Sequence, residues 1–319
     1  MDKHVAVVYS DHKILSDLCG ANDGNLRVLE DLLGVRVFSR GNEIYLETDD
    51  EQKKSIFKGM IGQLEEHAKL GQVPGPHLIQ AIHESLATGD TQKADFLKSK
   101  QVVIPNGVRK VFPRSYNQAL YLDCVEKHDM VFAIGPAGTG KTYLAIAQSL
   151  KTVLSRAKRK LILTRPVVEA GESLGYLPGA LEEKVNPFLR PLYDAMQSLV
   201  PFDLVKRLEE HEVIEIAPLA YMRGRTLSDC LIILDEAQNT SREQMKMFLT
   251  RIGEGSRAII TGDITQIDLP RRQDSGLLHV IPILTHIDEI RFVFFDEGDV
   301  VRHPLVRKIV HAYENTQAE

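Results

Sequence analysis

The chain has 319 residues, 43% of them apolar and 6% aromatic, with 44 acidic against 39 basic side chains for a net charge of −5. That length suits two domains of roughly 100–200 residues each, and the slight acidity argues against a protein held to nucleic acid by bulk charge, though a local basic patch is compatible with it. Three widely spaced cysteines, Cys19, Cys124 and Cys230, have no metal or redox spacing, so they read as buried packing in a reducing compartment. The start "MDKHVAVVYSDHK" lacks the pattern of a signal peptide, and no apolar run approaches the ~18 residues of a membrane helix. A cytoplasmic protein with no membrane partner is expected.

In chain order, "CGANDGNLRVLEDLLGVRVFSRGNEIYLET" opens on a loop from Gly20 to Gly24 that leads into a helix, "NLRVLEDLL". Two strands follow, "VRVFSR" and "EIYLET", joined at Gly41-Asn42, and the amphipathic helix in "DDEQKKSIFKGMIGQLEEHAK" closes the run. This order is similar to a KH domain, in which a G-x-x-G loop clamps single-stranded RNA backbone. Here the loop is one residue too long and places Asp23 where a phosphate would lie. A structural or partner-binding role therefore stands beside RNA binding for this small α+β domain, residues 1–91. The stretch "KSKQVVIPNGVRKVFPRS", with two prolines and an Asn-Gly turn signal, marks residues 92–113 as a linker.

Residues 114–319 alternate short apolar strands with longer helical patterns. The strands are "MVFAI", "KLILT", "CLIILDE", "SRAIITGD" and "EIRFVFF". Strands apolar on consecutive residues are buried on both faces, as in a parallel sheet covered by helices. "TYLAIAQSLKTVLSRA" and "SREQMKMFLTRIG" read as amphipathic helices, the second with Ser241 as N-cap. The prediction is an α/β domain.

"GPAGTGKT", Gly135 to Thr142, follows the first of these strands and opens a helix. It fits G-x-x-x-x-G-K-[ST], a loop whose backbone N–H groups converge on phosphate oxygens. Glycines supply the dihedrals and leave room for the phosphates, and the helix start adds its positive dipole end. The nucleotide contacts expected are Gly135, Pro136, Ala137, Gly138, Thr139, Gly140, Lys141 and Thr142, with Tyr143 beside them. Lys141 reaches the β- and γ-phosphates, and Thr142 offers a hydroxyl to Mg²⁺. "LIILDEA" supplies Asp235 for the Mg²⁺ shell and Glu236 to orient and deprotonate the attacking water. "TGDITQ" places Gln266 where one side chain can contact both the γ-phosphate and the water. ATP and Mg²⁺ are the expected ligands. Arg223 and Arg225 in "MRGRT" form a basic spot that is either a phosphate contact or ordinary surface.

The set "GPAGTGKT", "LDEAQN" and "TGDITQ" resembles the first RecA-type domain of superfamily-one helicases. "TRPVVEAGESLGYLPG", "YMRGRTLSDCLIILDEAQN" and "DVVRHPLV" resemble the bacterial PhoH-like ATPases, over about residues 100–315, and the first ~90 residues resemble the longer, PhoL-type members. The resemblance implies a RecA-like P-loop fold and a helicase-type ATPase associated with single-stranded RNA and ribosome maturation. It also implies assembly of the chain with itself into a ring. It puts Gln118, in "SYNQALYLD", at the place of an adenine-reading glutamine, and Arg165, in "TRP", at a nucleic-acid backbone contact. Superfamily-one helicases close on ATP with arginines from a second RecA domain, which residues 1–319 do not contain. Arg302, in "DVVRHPLV", is the candidate replacement, acting on the ATP of the next subunit in a head-to-tail ring for which six is the expected number. The alternative reading is a nucleotide-gated ring scaffold presenting a partner such as an endoribonuclease or ribosome-maturation factor. A small-molecule kinase is a third reading, with no acceptor-binding lid in evidence.

Overall fold

The computed structural model describes residues 4–89, 91–108, 110–166, 181–301 and 309. Two compact units share the chain, residues 1–101 with 112–119, and residues 102–111 with 120–319.

The first unit begins with β1 (His4–Val8) and α1 (His12–Cys19), two elements that precede the expected run. The expected run follows as α2 (Gly24–Leu33), β2 (Val37–Arg40), β3 (Glu43–Glu47) and α3 (Glu51–Lys69), and then α4 (Pro76–Ala87) and α5 (Thr91–Ser99). The strands form an antiparallel sheet in the order β1-β3-β2. One face of that sheet is alternately apolar, so Val37, Ile44 and Leu46 bury against Leu26, Leu29, Phe57, Met60 and Leu64 of the helices. Asp11 and Asp50 cap α1 and α3 through side-chain oxygens that accept first-turn N–H groups.

The loop from Gly20 to Gly24 is internally fastened. Asn25 is buried, and its amide donates to Asp17 O and Pro74 O, both at 3.2 Å. Gly20 has φ +71°, and a Cβ there would meet the Asn25 amide carbon at 2.8 Å. The glycine is thus accounted for by packing of its own loop, without a phosphate.

Residues 92–113 are more structured than a linker. They carry most of α5 and then a bridge between Val102 and Val111. Val102, Ile104 and Val111 are apolar and bury in the core of the second unit, which is why the unit boundary falls inside this stretch.

The second unit contains α6 (Tyr116–Lys127, from Leu120 on), β4 (Met130–Ile134), α7 (Lys141–Leu154), β5 (Lys160–Arg165), α8 (Leu181–Gln197), α9 (Phe202–Glu210), β6 (Ile214–Pro218), β7 (Cys230–Leu234), α10 (Arg242–Leu249), β8 (Arg257–Gly262), α11 (Gly276–Leu284) and β9 (Ile290–Phe294). Six parallel strands lie in the order β6-β5-β7-β8-β4-β9. This is an α/β fold consistent with a RecA-like P-loop domain. Alternate residues of each inner strand go to opposite cores. Val131, Leu161, Leu163, Leu231, Ile233 and Ile259 pack with Leu144, Leu150 and Leu192 on one face. Phe132, Ile162, Ile232, Leu234 and Ile260 pack with Met245, Phe248 and Leu277 on the other. Both faces being buried explains the unbroken apolar runs. Ser241 caps α10 as expected: its hydroxyl accepts from Gln244 N–H at 3.2 Å, while Gln244 Oε1 accepts from Ser241 N–H at 2.8 Å.

Edge strand β6, "IEIAP", is interrupted by Glu215 and ends in proline, so it carries no buried-strand signature. An ion cluster holds it. Arg225 grips Glu215 with both Nη atoms, at 2.5 and 2.9 Å, and Lys160 Nζ lies 2.8 Å away. Hydrogen bonding to Arg225, with help from Lys160, pulls the Glu215 carboxyl down to about 2 against the opposing effect of burial. That is below its unfolded value of about 4.3, so the stabilisation is present above that value and is lost as pH falls towards 2. Glu215→Gln is expected to cost ~1–2 kcal/mol at pH 7, less than the whole shift implies because the partners are partly solvated. In urea melts the gap to the parent should narrow between pH 4 and pH 2. A gap independent of pH would assign the loss to packing instead.

Candidate nucleotide site

Because all six strands of the sheet are parallel, the carboxyl ends of β4, β5, β7 and β8 open on one edge. There they deliver the glycine loop, Arg165, the Asp235–Glu236 pair and Asp263 to a single cleft of about 360 Å³. Lys141, Thr142, Tyr143 and Gln266 also line it.

The loop takes conformations that demand glycine. Gly138 and Gly140 have φ of 84° and 78°. At Gly135 (φ 154°) a Cβ would meet Phe295 O at 2.5 Å. Phe295 N–H in turn donates to Ile134 O at 2.7 Å, and its ring packs edge-to-face on Tyr121. Tyr121 is wholly buried and donates to Lys141 O at 3.4 Å; burial pushes its phenol well above the ordinary range. These contacts brace the start of α7.

Lys141 is 8% exposed. Its ammonium folds onto the loop's own carbonyls, donating to Gly135 O and Pro136 O at 2.7 Å each, and to Thr139 Oγ1 at 3.2 Å. Burial pushes its pKa down, partly offset by Asp263, Glu236 and Asp235. Asp235 is buried. Its Oδ1 accepts from Thr142 Oγ1 and from Thr261 Oγ1, both at 2.6 Å, and its N–H donates to Thr164 O at 2.9 Å. Thr142 and Asp235, 93 residues apart, therefore meet as the expected pair.

Glu236 adopts a left-handed backbone, φ 52° and ψ 40°. Arg165 Nη2 lies 3.2 Å from Glu236 Oε1, and Gln238 Nε2 donates to Oε2 at 2.5 Å. Asp263 binds the loop directly: its Oδ2 accepts from Ala137 N–H at 3.0 Å, and its Oδ1 accepts from Thr265 N–H and Oγ1. Gln266 is exposed at the cleft, with its N–H on Asp263 O and its carbonyl accepting from Gln238.

The PhoH-like protein family matches residues 110–314. A PhoH-like protein of Bacillus subtilis (strain 168) is 45% identical over 298 residues, covering 93% of this chain and 93% of its own. The chain belongs to the PhoH family. A PhoH-like protein of Mycobacterium tuberculosis (strain ATCC 25618 / H37Rv) is also 45% identical, over 297 residues and 84% of its own length. Protein PhoH of Escherichia coli (strain K12) is 41% identical over 205 residues, 64% of this chain and 58% of its own.

In this PhoH-family chain the glycine loop, Thr142, Asp235, Glu236, Gln266 and Arg165 come together at the cleft. Two other expected residues, Arg223 and Arg225, are not among its lining residues. Gln118 belongs to the first unit, buried, with its side-chain oxygen accepting from Arg114 N–H at 2.7 Å. Arg225 is committed to Glu215, while Arg223 is exposed on the neighbouring turn. Arg302, and residues 167–180 of the glycine-rich stretch after β5, lie outside the described residues. Thr261, Asp263 and Gln238 had not been singled out as site residues. The signal for them was present, since each is a polar residue buried beside a strand's carboxyl end. Among the described residues, no helix is long and apolar enough to cross a membrane.

Proposed function

We propose that this chain binds ATP with Mg²⁺ at residues 135–142 and hydrolyses it, in the service of an RNA-associated task. The observation that carries the reading is the 2.6 Å contact between Thr142 and Asp235 with Lys141 and a second acid, Glu236, at the same cleft. A binding-only site needs the first three groups; the second acid supplies a base.

A hydroxyl and a carboxylate are an all-oxygen set that suits a hard cation such as Mg²⁺. Among the described residues no group of three or more His, Cys, Asp or Glu is arranged to hold a metal ion, so nucleotide phosphates and water would complete the shell. Once bound, the ion would neutralise developing phosphate charge. Lys141 would exchange the carbonyls of Gly135 and Pro136 for phosphate oxygens. Thr261 orients Asp235 by holding its Oδ1. Asp263 fixes the loop through Ala137. Glu236 accepts the proton of the attacking water, and Gln266 lies where it can sense the γ-phosphate.

Lys141 gives a direct test. Its folded pKa is lowered, so its charge is disfavoured on folding at neutral pH, and that penalty fades as pH rises from the folded towards the unfolded value. Lys141→Met should therefore leave the ligand-free melting temperature at pH 7 equal to or above the parent's, while abolishing the rise that Mg·ATP produces in the parent by binding only the native state. An unaltered ATP-induced rise would refute the site.

RNA contact is proposed through Arg165 and Arg223, where guanidinium groups can pair with phosphate. Arg225 is left out because Glu215 already occupies its fork. Steady-state ATP hydrolysis with and without single-stranded RNA tests this; turnover indifferent to RNA speaks against an RNA-coupled task.

A further inference from the structure

Glu236 is held more firmly than a waiting base needs to be. A residue with a Cβ takes a left-handed backbone only where its surroundings insist, and here both carboxylate oxygens are engaged, Oε1 by Arg165 and Oε2 by Gln238. The two anchors differ in kind. Gln238 is fully buried, and its oxygen accepts from Asp263 N–H at 3.0 Å while its nitrogen also reaches Gln266 O at 3.1 Å. It is part of the frame. The Arg165 side chain is 21% exposed, lines the nucleotide cleft at the end of β5, and is otherwise tied by a 3.1 Å hydrogen bond from Nη1 to Phe188 O on α8. It is the anchor that an incoming anion can reach.

Charge balance makes Arg165 the cation for which an entering phosphate competes. The cleft carries Lys141 and Arg165 against Asp235, Glu236 and Asp263, so an entering phosphate has little unpaired positive charge to meet. Guanidinium pairs with phosphate oxygens at least as well as with a carboxylate, in a forked geometry. When it does so, Glu236 loses the cation that pairs with its carboxylate among the described residues and turns from ion-paired acceptor into base.

We propose that Arg165 is a positioning residue that clamps Glu236 in a resting arrangement, and that a phosphate group entering the cleft releases the carboxylate by taking the guanidinium. The proposal rests on the reading of Glu236 as the hydrolytic base. The phosphate has two possible sources, the γ-phosphate of the nucleotide and the phosphodiester backbone of a single-stranded RNA. In both cases hydrolysis is coupled to occupancy through one ion pair between neighbouring strands.

The test uses the full chain and reads the Arg165 side-chain NH signals by nitrogen-15 NMR, assigned by their loss in Arg165→Lys. Glu236→Gln should shift them, since the pair is broken. A non-hydrolysable ATP analogue with Mg²⁺ forms one arm and a ten-nucleotide oligouridylate the other, with binding of each followed separately by fluorescence anisotropy. The arm that moves the Arg165 signals identifies the source. Turnover gives the second readout. If RNA is the source, Arg165→Ala should raise RNA-free turnover by the reciprocal of the unclamped fraction, about three- to tenfold for a clamp closed in most molecules, and erase stimulation by the oligonucleotide. If the γ-phosphate is the source, Arg165→Ala should lower turnover at saturating ATP, and Arg165→Lys should recover part of it. The clamp is overturned if Glu236→Gln leaves the Arg165 signals in place, if neither bound ligand moves them, or if Arg165→Ala matches the parent with and without RNA. A parent chain that binds neither ligand, or binds ATP without turning it over, instead overturns the hydrolytic reading, whatever the state of the ion pair.

Discussion

Glu236→Gln is expected to hold ATP affinity within a few-fold of the parent and to reduce turnover by about 10²-fold or more, the range for a lost acid–base group. The substitution keeps size and one hydrogen-bond acceptor, so Gln238 retains a partner at position 236. It leaves Lys141, Thr142 and Asp235 untouched, and these make the affinity. What it removes is the carboxylate that takes a proton from water. Binding measured with a fluorescent ATP analogue, against phosphate release at saturating ATP, separates the two effects. Lys141→Met, which loses binding itself, is the contrasting variant. Near-parent turnover in Glu236→Gln would take the base assignment away from this residue and point to water activation by another group lining the cleft.

Legibility of the fold followed burial. Strands β4, β5, β7 and β8 are apolar on consecutive residues because both faces are covered, and they can be read from one sequence. β6 cannot, because an edge strand needs only one covered face and its Glu215 is made tolerable by Lys160 and Arg225, which no local pattern pairs with it. The same contact turns Arg225 from a basic spot into a brace. At the site, the phosphate loop and the acid pair were legible as contiguous motifs, since their chemistry needs fixed spacing. The Arg165–Glu236 pair spans two strands that are neighbours in space and 71 positions apart in the chain; proximity of that kind comes from the sheet order. Gln238 and Asp263 escaped because buried polar residues look ordinary until their partners, the Glu236 carboxylate and Ala137 N–H, are known. In the first unit, the glycine that suggested a backbone clamp has an adequate cause in the Asn25 amide behind it.

Arg302→Ala is expected to lower ATP turnover by about 10³-fold, the low end of what an arginine facing the transferred phosphoryl group contributes in well-studied cases. The charge argument comes from the cleft. Among the described residues that line it, Lys141 is the sole cation apart from Arg165, which Glu236 already occupies, so none of them offers the transition state a free guanidinium. The sequence assigns the missing group to the next subunit of a head-to-tail ring, with an arginine acting on its own loop as the alternative. Val301 N–H donates to Gly138 O at 2.9 Å, and Arg302 itself lies outside the described residues. Proline two positions on, Pro304, restricts the backbone that follows. The deciding experiment mixes Arg302→Ala with Lys141→Ala, each nearly inactive alone, after subunit exchange has been demonstrated with labelled chains. An arginine serving its own loop predicts no recovery, because no chain then holds both groups. Recovery of a substantial fraction of parent turnover is the result expected of the head-to-tail site, in which the intact Arg302 of one chain faces the intact Lys141 of its neighbour, and would make ring assembly a condition of hydrolysis.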